Sequence, residues 1–196
     1  MPRVVDRAAR RRELMETTWR VVAERGLSGA TMRQIAEAAG YANGALKPYF
    51  PSKRELIEAT YDHVFTRTEK RIEAAVAGLS GVAALRALCC EVLPMDAELV
   101  QEARLVIAFW DQAARDESEA ALAAASLEAW RVRVRAALDE AGEAGELRAG
   151  SDAEAVIDAL LTWMYGAQVT AVMDAGRFGG ARLEAQLDAV LGLLTP

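Results

Sequence analysis

Residues 31–53, TMRQIAEAAGYANGALKPYFPSK, leave few options for what this chain can fold into. They read as two short helices joined by a glycine turn. Thr-Met-Arg-Gln at Thr31–Gln34 is a capping box, in which the Thr31 hydroxyl takes the Gln34 N–H and the Gln34 amide reaches back. Gly40 falls where the chain must reverse through positive φ, a conformation only glycine adopts cheaply. Leu46, Tyr49 and Phe50 then recur at spacings of three and four, giving the second helix an inner face. Ala36 and Gly40 are small where two helices would cross, and Ile35 and Leu46 are apolar where they would pack. The expected unit is a helix-turn-helix whose second helix is free to enter a major groove.

The outward residues of that second helix suit DNA. Asn43 matches an adenine edge, Lys47 and Lys53 match phosphate or guanine, and the Ala45 methyl matches a thymine methyl. Gly44 allows close backbone approach, and Pro48 restricts the helix to a very short one. A plain helical hairpin with a solvated polar face is the competing reading, so the rest of the chain has to decide.

Charge does much of the deciding. Residues 1–54 hold eleven Lys/Arg against five Asp/Glu, and the remainder holds twelve against twenty-four, within a net charge of −6. A basic head on an acidic body is the layout expected when only the head meets phosphate. Hydrophobic residues make up 53% of 196, with Ala and Leu dominant and five prolines, which favours an all-helical protein with a proper core. No apolar run is read as spanning a bilayer, and the basic N-terminus lacks the apolar segment of a signal peptide. Adjacent Cys89 and Cys90 read as small buried residues of a reducing cytoplasm.

In chain order, a basic arm from Arg3 to Arg12, expected either to lie along the phosphate backbone or a minor groove or to be disordered, precedes a helix marked by Leu14, Thr18, Val21 and Val22 and ended by Gly26. Ser52–Glu55 is a second capping box, opening a long helix toward Gly78, with Lys53 in its first turn where a DNA phosphate would balance its charge. Helices are expected over 80–92, 96–115, 116 to about 141, 153–175 and 183–194, the fourth of these opened by a third box at Ser151–Glu154.

The stretch AERGLSGATMRQIAEAAGYANGALKPYFPSKRELI resembles the DNA-binding domain of the TetR family of bacterial transcriptional regulators, over residues 10–65. The resemblance implies that Thr31, Arg33, Gln34, Asn43, Ala45, Lys47, Tyr49 and Lys53 face DNA. The family usually has Tyr where this chain has Lys47, so base preference does not transfer with it. The body is similar to the BetI-like branch through LPMDAELVQEARLVIAFW, Trp130 and Gly166, and the inducers of that branch are choline-like. An aromatic cage of Trp110, Trp130, Trp163 and Tyr165 beside Asp111 would answer such a cation. A generic apolar pocket lined by Met95, Phe109, Trp110, Trp130, Trp163 and Met164 is the broader expectation.

The last two helices carry strong apolar stripes. Val156, Leu160, Val172, Leu183, Leu187, Val190 and Leu191 are expected at a four-helix homodimer interface, since two half-sites require two reading heads. An enzyme finds little support: His63 is the sole histidine, no nucleophile setting appears, and no glycine-rich loop follows a strand. No cofactor and no metal site are expected. The sequence thus implies an N-terminal three-helix helix-turn-helix domain (1–52) joined by a long helix to a C-terminal helical bundle (53–196), about nine helices in all. Its expected role is a cytoplasmic, ligand-responsive repressor on palindromic double-stranded DNA. The alternative is a helical small-molecule-binding protein or enzyme without a DNA role.

Overall fold

The structure, a computed structural model, describes residues 6–42, 44–150 and 152–196, and these are helical without strands. Asp6 opens α1 (Arg7–Gly29) by accepting the Ala8 and Ala9 N–H groups, so Arg7 to Arg12 form helical turns and not an extended arm. Arg3 lies outside the described residues. Gly26 interrupts α1 at φ 68°, ψ 171°, the break its position implied. In α2 (Met32–Ala38) both halves of the Thr31–Gln34 box are formed, and Gly40 turns the chain at φ 75°.

The second element of the motif is not a regular helix. Residues 44–49 are a run of tight turns, with Ala45 N–H donating to Ala42 O (3.1 Å), Lys47 to Gly44 O (3.2 Å) and Tyr49 to Leu46 O (2.9 Å). Pro48 has no N–H to give and Gly44 sits at φ 89°, outside helical space, so the segment cannot settle into an α-helix. Leu46 and Phe50 are nonetheless buried against Ile35 and Leu14, which fixes the segment's orientation.

Ser52 caps α3 (Lys53–Ala75) by accepting the Glu55 N–H. The Glu55 carboxylate takes the Ser52 hydroxyl instead of a backbone donor, so only half of this box forms. The body follows as α4 (Gly81–Val92), α5 (Ala97–Ala113), α6 (Glu117–Glu143), α7 (Ala153–Met173), α8 (Ala175–Phe178) and α9 (Ala181–Leu194). Asp96, Asp116 and Asp152 cap α5, α6 and α7. Asp152 thus does the work expected of Ser151, which lies outside the described residues. The N-terminus of α4 is held from across the bundle, by the carboxylates of Glu140 and Glu146 on the Gly81 and Val82 N–H groups.

Two cores result. The head core gathers Leu14, Val22, Ile35, Leu46, Phe50, Leu56 and Tyr61, and α5 adds Leu105 and Phe109 to it. The body core is built on Ile72, Leu85, Leu88, Val134, Ile157, Leu160, Leu183 and Leu187. Helix α3 contributes to both, from Leu56 at one end to Ile72 at the other. Helix α7, with a mean hydropathy of 1.3, is long and apolar enough by composition to cross a membrane, contrary to the reading that no such run exists. One of its faces, with Ile157, Leu161, Met164 and Ala171, packs into the body core.

Candidate nucleic-acid interface and ligand cavity

At the motif, Arg33, Gly44 and Lys47 are exposed and Ala45 and Tyr49 half-buried. Neither the Arg33 nor the Lys47 side chain makes an ion pair or hydrogen bond among the described residues, which leaves both charges available to phosphate. Thr31 and Gln34 are engaged with each other: the Gln34 carbonyl accepts the Thr31 N–H (3.0 Å) and hydroxyl (2.6 Å). Asn43 lies outside the described residues. The Lys53 ammonium donates to the Leu27 carbonyl at 2.6 Å, and burial lowers its pKa. It stitches the broken end of α1 to the start of α3.

Two arginines of α1 hold the non-helical segment in place. Arg7 donates to the Pro48 carbonyl at 2.9 Å, Arg11 donates to the Tyr49 carbonyl, and the Arg11 guanidinium lies 4.1 Å from the centre of the Phe50 ring. A run of turns leaves carbonyls that a helix would have satisfied, and these side chains satisfy them. Arg11→Ala should therefore loosen the reading segment, weakening DNA binding by about 1 kcal/mol while the melting temperature moves little, as paired titrations and thermal melts would show.

The body holds a small cavity of about 50 Å³ among α3, α5, α6 and α7. Its walls are aromatic: Tyr61 and Phe65 from α3, Trp110 from α5, Trp130 from α6 and Tyr165 from α7. The rings meet edge to face, Phe65 with Trp130 and Trp110 with Tyr165, each pair 5.3 Å apart. Glu102, Thr68 and the buried Gln168 supply polarity. The Glu102 side chain, 8% exposed, accepts Arg71 N–H bonds on both oxygens, at 2.8 and 2.7 Å, and Thr68 at 3.3 Å. Burial opposes the Arg71 charge, but the bonds and charges of Glu102 and Glu91 outweigh it and raise its pKa. Burial raises the Tyr61 phenol, tempered by Ser126 and Trp110, and pushes Tyr165 up to about 12, helped by Tyr61.

The Tyr165 hydroxyl at this cavity has no protein partner, and the Trp110 Nε1–H has only the Tyr61 phenol near it, without a hydrogen bond of normal geometry. A buried donor left unpaired costs about 1–3 kcal/mol, so what fills the cavity has to supply an acceptor.

Of the residues expected at a pocket, Trp110 and Trp130 line this cavity. Phe109 is fully buried in the head core, stacked on Tyr61 at 4.0 Å, and Met164 is buried in the body core with its sulfur 3.7 Å from that of Cys89. Met95 packs on the body core away from the cavity. Trp163 faces a groove between α7 and α9, and Asp111 is exposed and paired with Arg115, so the expected four-aromatic cage beside Asp111 is not assembled. Tyr61, Phe65 and Glu102 were missed. The four-residue spacing of Tyr61 and Phe65 puts both on one face of α3, which was the available signal.

The expected dimer residues divide as well. Leu160, Leu183, Leu187 and Leu191 are buried within their own chain, where α7 and α9 pack on the body. Val172 is half-buried on α7. Val156 and Val190 border the α7–α9 groove with Trp163 and Leu193, the last 73% exposed. Beside them α7 shows a stripe of small outward residues, Ala155, Ala159, Thr162 and Gly166.

The tetR family of bacterial regulatory proteins matches over residues 14–60, and the C-terminal domain of the BetI-type transcriptional repressor over 81–196. The transcriptional regulator PksA of Bacillus subtilis is 36% identical over 110 residues, 56% of this chain and 54% of that protein. The BetI regulator of Burkholderia ambifaria is 31% identical over 121 residues, 59% of this chain and 61% of that one. The chain thus spans less than two thirds of the curated relatives it matches. Among solved structures, a Rhodococcus transcriptional regulator superposes with a TM-score of 0.83 at 27% identity, over 94% of this chain and 95% of that one. A Saccharomonospora viridis regulator solved with choline superposes at 0.88 with 19% identity, over 94% and 96%, a likeness of fold. With both halves matched in order, the chain belongs to the TetR family of bacterial transcriptional regulators, its C-terminal domain being of the BetI type.

Proposed function

We propose that the protein is a homodimeric, ligand-released transcriptional repressor of the cytoplasm, with residues 1–52 as DNA-reading head and 53–196 as ligand-binding and dimerising body. The observation that carries the DNA role is the pair of unpaired, exposed cations, Arg33 and Lys47, on a rigidly clamped helix-turn-helix within the basic end of an acidic chain. The outer face of α7 and α9, small-residued and apolar, is the surface for a second copy. That copy supplies the second head, and successive major grooves set the heads roughly 34–36 Å apart on a palindromic operator. Asn43, Ala45 and Gly44 would meet bases, and Arg33, Lys47 and Tyr49 the backbone. No catalytic role is proposed for any residue.

Ligand and DNA are coupled through shared helices. Helix α3 runs from the reading segment to the cavity wall, and α5 carries both Trp110 and the head-core residue Phe109. Arg67 ties them together, pairing with Glu16 of α1 (3.4 Å) and Glu98 of α5 (2.6 Å). A cavity of about 50 Å³ holds only a few waters, so a ligand enters only by parting α3 from α5 and α7. The ligand thereby favours a dimer whose heads no longer match the grooves, by as much as its preference for that state.

Fluorescence anisotropy on DNA from upstream of the protein's own gene, against a scrambled duplex across a salt series, tests this. Preference for the upstream DNA with steep salt dependence supports the reading. No binding to either duplex at any salt would leave a helical binding protein or enzyme without a DNA role. Lys47→Ala should weaken binding to both duplexes and lower the salt exponent by about one, whereas Asn43→Ala should mainly erase the preference.

A further inference from the structure

We propose that the ligand of the aromatic cavity is a neutral, largely apolar molecule that presents an acceptor oxygen to Tyr165 and Trp110, and not a cation. This rests on the cavity being the effector site. Among the described residues, Glu102 is the one charged side chain lining it, and Arg71 neutralises that charge with two short hydrogen bonds. A cation entering here would shed its water and find a carboxylate already spent. An anion would find no uncommitted cation, because Arg71 is held by Glu102 and Glu91. Either charge pays a desolvation cost with nothing to offset it.

A neutral ligand meets no such cost, and the cavity is uneven in a way that suits one. The end near Tyr61, Trp110 and Tyr165 is rich in donors, of which the Tyr165 hydroxyl has no acceptor from the protein and the Trp110 N–H no well-formed one. The other walls are Phe65, Trp130 and aliphatic side chains, interrupted by the neutral Thr68 hydroxyl and Gln168 amide. One acceptor on a ring system fills both requirements. Aromatic walls alone would also suit a quaternary ammonium, and the polar groups are what separate the two.

Isothermal titration calorimetry of the protein with three small probes tests it: coumarin (neutral, one carbonyl), naphthalene (of coumarin's size, no acceptor) and choline (a compact cation). Coumarin should bind, and Tyr165→Phe should weaken it about tenfold while leaving naphthalene unchanged. The Tyr165→Phe melting temperature should not fall, because the lost hydroxyl has no protein partner; a fall would show that it has one and overturn the proposal. Choline binding more tightly than coumarin, no binding of coumarin, or coumarin affinity indifferent to Tyr165→Phe would each overturn it too. Operator anisotropy with coumarin separates the two levels. Calorimetric binding that leaves DNA affinity unmoved upholds the ligand class and refutes the regulatory reading of the cavity.

Discussion

Phe109→Ala should destabilise the protein by about 3–5 kcal/mol, roughly 10 °C in melting temperature, the largest loss expected from any single truncation here. Phe109 is fully buried, stacked on Tyr61 at 4.0 Å, and carried by a body helix into the core of the head. Its removal opens a cavity where α1, α3 and α5 converge, and helices pinned from three sides collapse poorly into a gap. Tyr61 also walls the ligand cavity, so the loss should reach ligand and DNA together. Thermal unfolding of Phe109→Ala beside Phe109→Leu, which keeps most of the volume, checks this. A loss in Phe109→Ala no larger than in Phe109→Leu would mean that the head packs on the body less tightly than the buried stack implies.

Arg71→Met should cost about 3 kcal/mol, because it strands the buried Glu102 carboxylate. The double variant Arg71→Met with Glu102→Met should recover most of that loss. The asymmetry follows from desolvation: the pair roughly balances the cost of leaving water, whereas one unpaired buried charge does not. Denaturant unfolding of the single and double variants decides between this and a simple packing role, in which the two losses would add. Because Glu102 lines the cavity, the double variant should also retain a neutral ligand.

The head was legible in the sequence because its devices are local. A capping box is four residues that satisfy one another, and a positive-φ glycine is a property of one position, so Thr31, Gln34 and Gly40 could be read without neighbours. The alternating stripes of α7 and α9 were legible for the same reason, as was the all-helical class. Pro48 and Gly44 already announced a weak second helix, yet what holds it lies about forty residues away in Arg7 and Arg11.

What tertiary structure decided is partnership. Composition marked Lys53 as a phosphate ligand, and only the fold placed its ammonium on the Leu27 carbonyl. Leu183 and Leu187 are apolar whether they face a second copy or their own bundle, and packing assigned them to the bundle. The cavity draws Tyr61, Glu102, Trp130 and Tyr165 from four helices, and periodicity along one helix carries no information on which helix faces it. Sequence therefore determined which helices form and which faces are apolar, since those depend on neighbours within a turn or two. Which apolar face meets which, and which charge is already spent, depends on pairings between residues distant in the chain, and these exist only once the chain has folded.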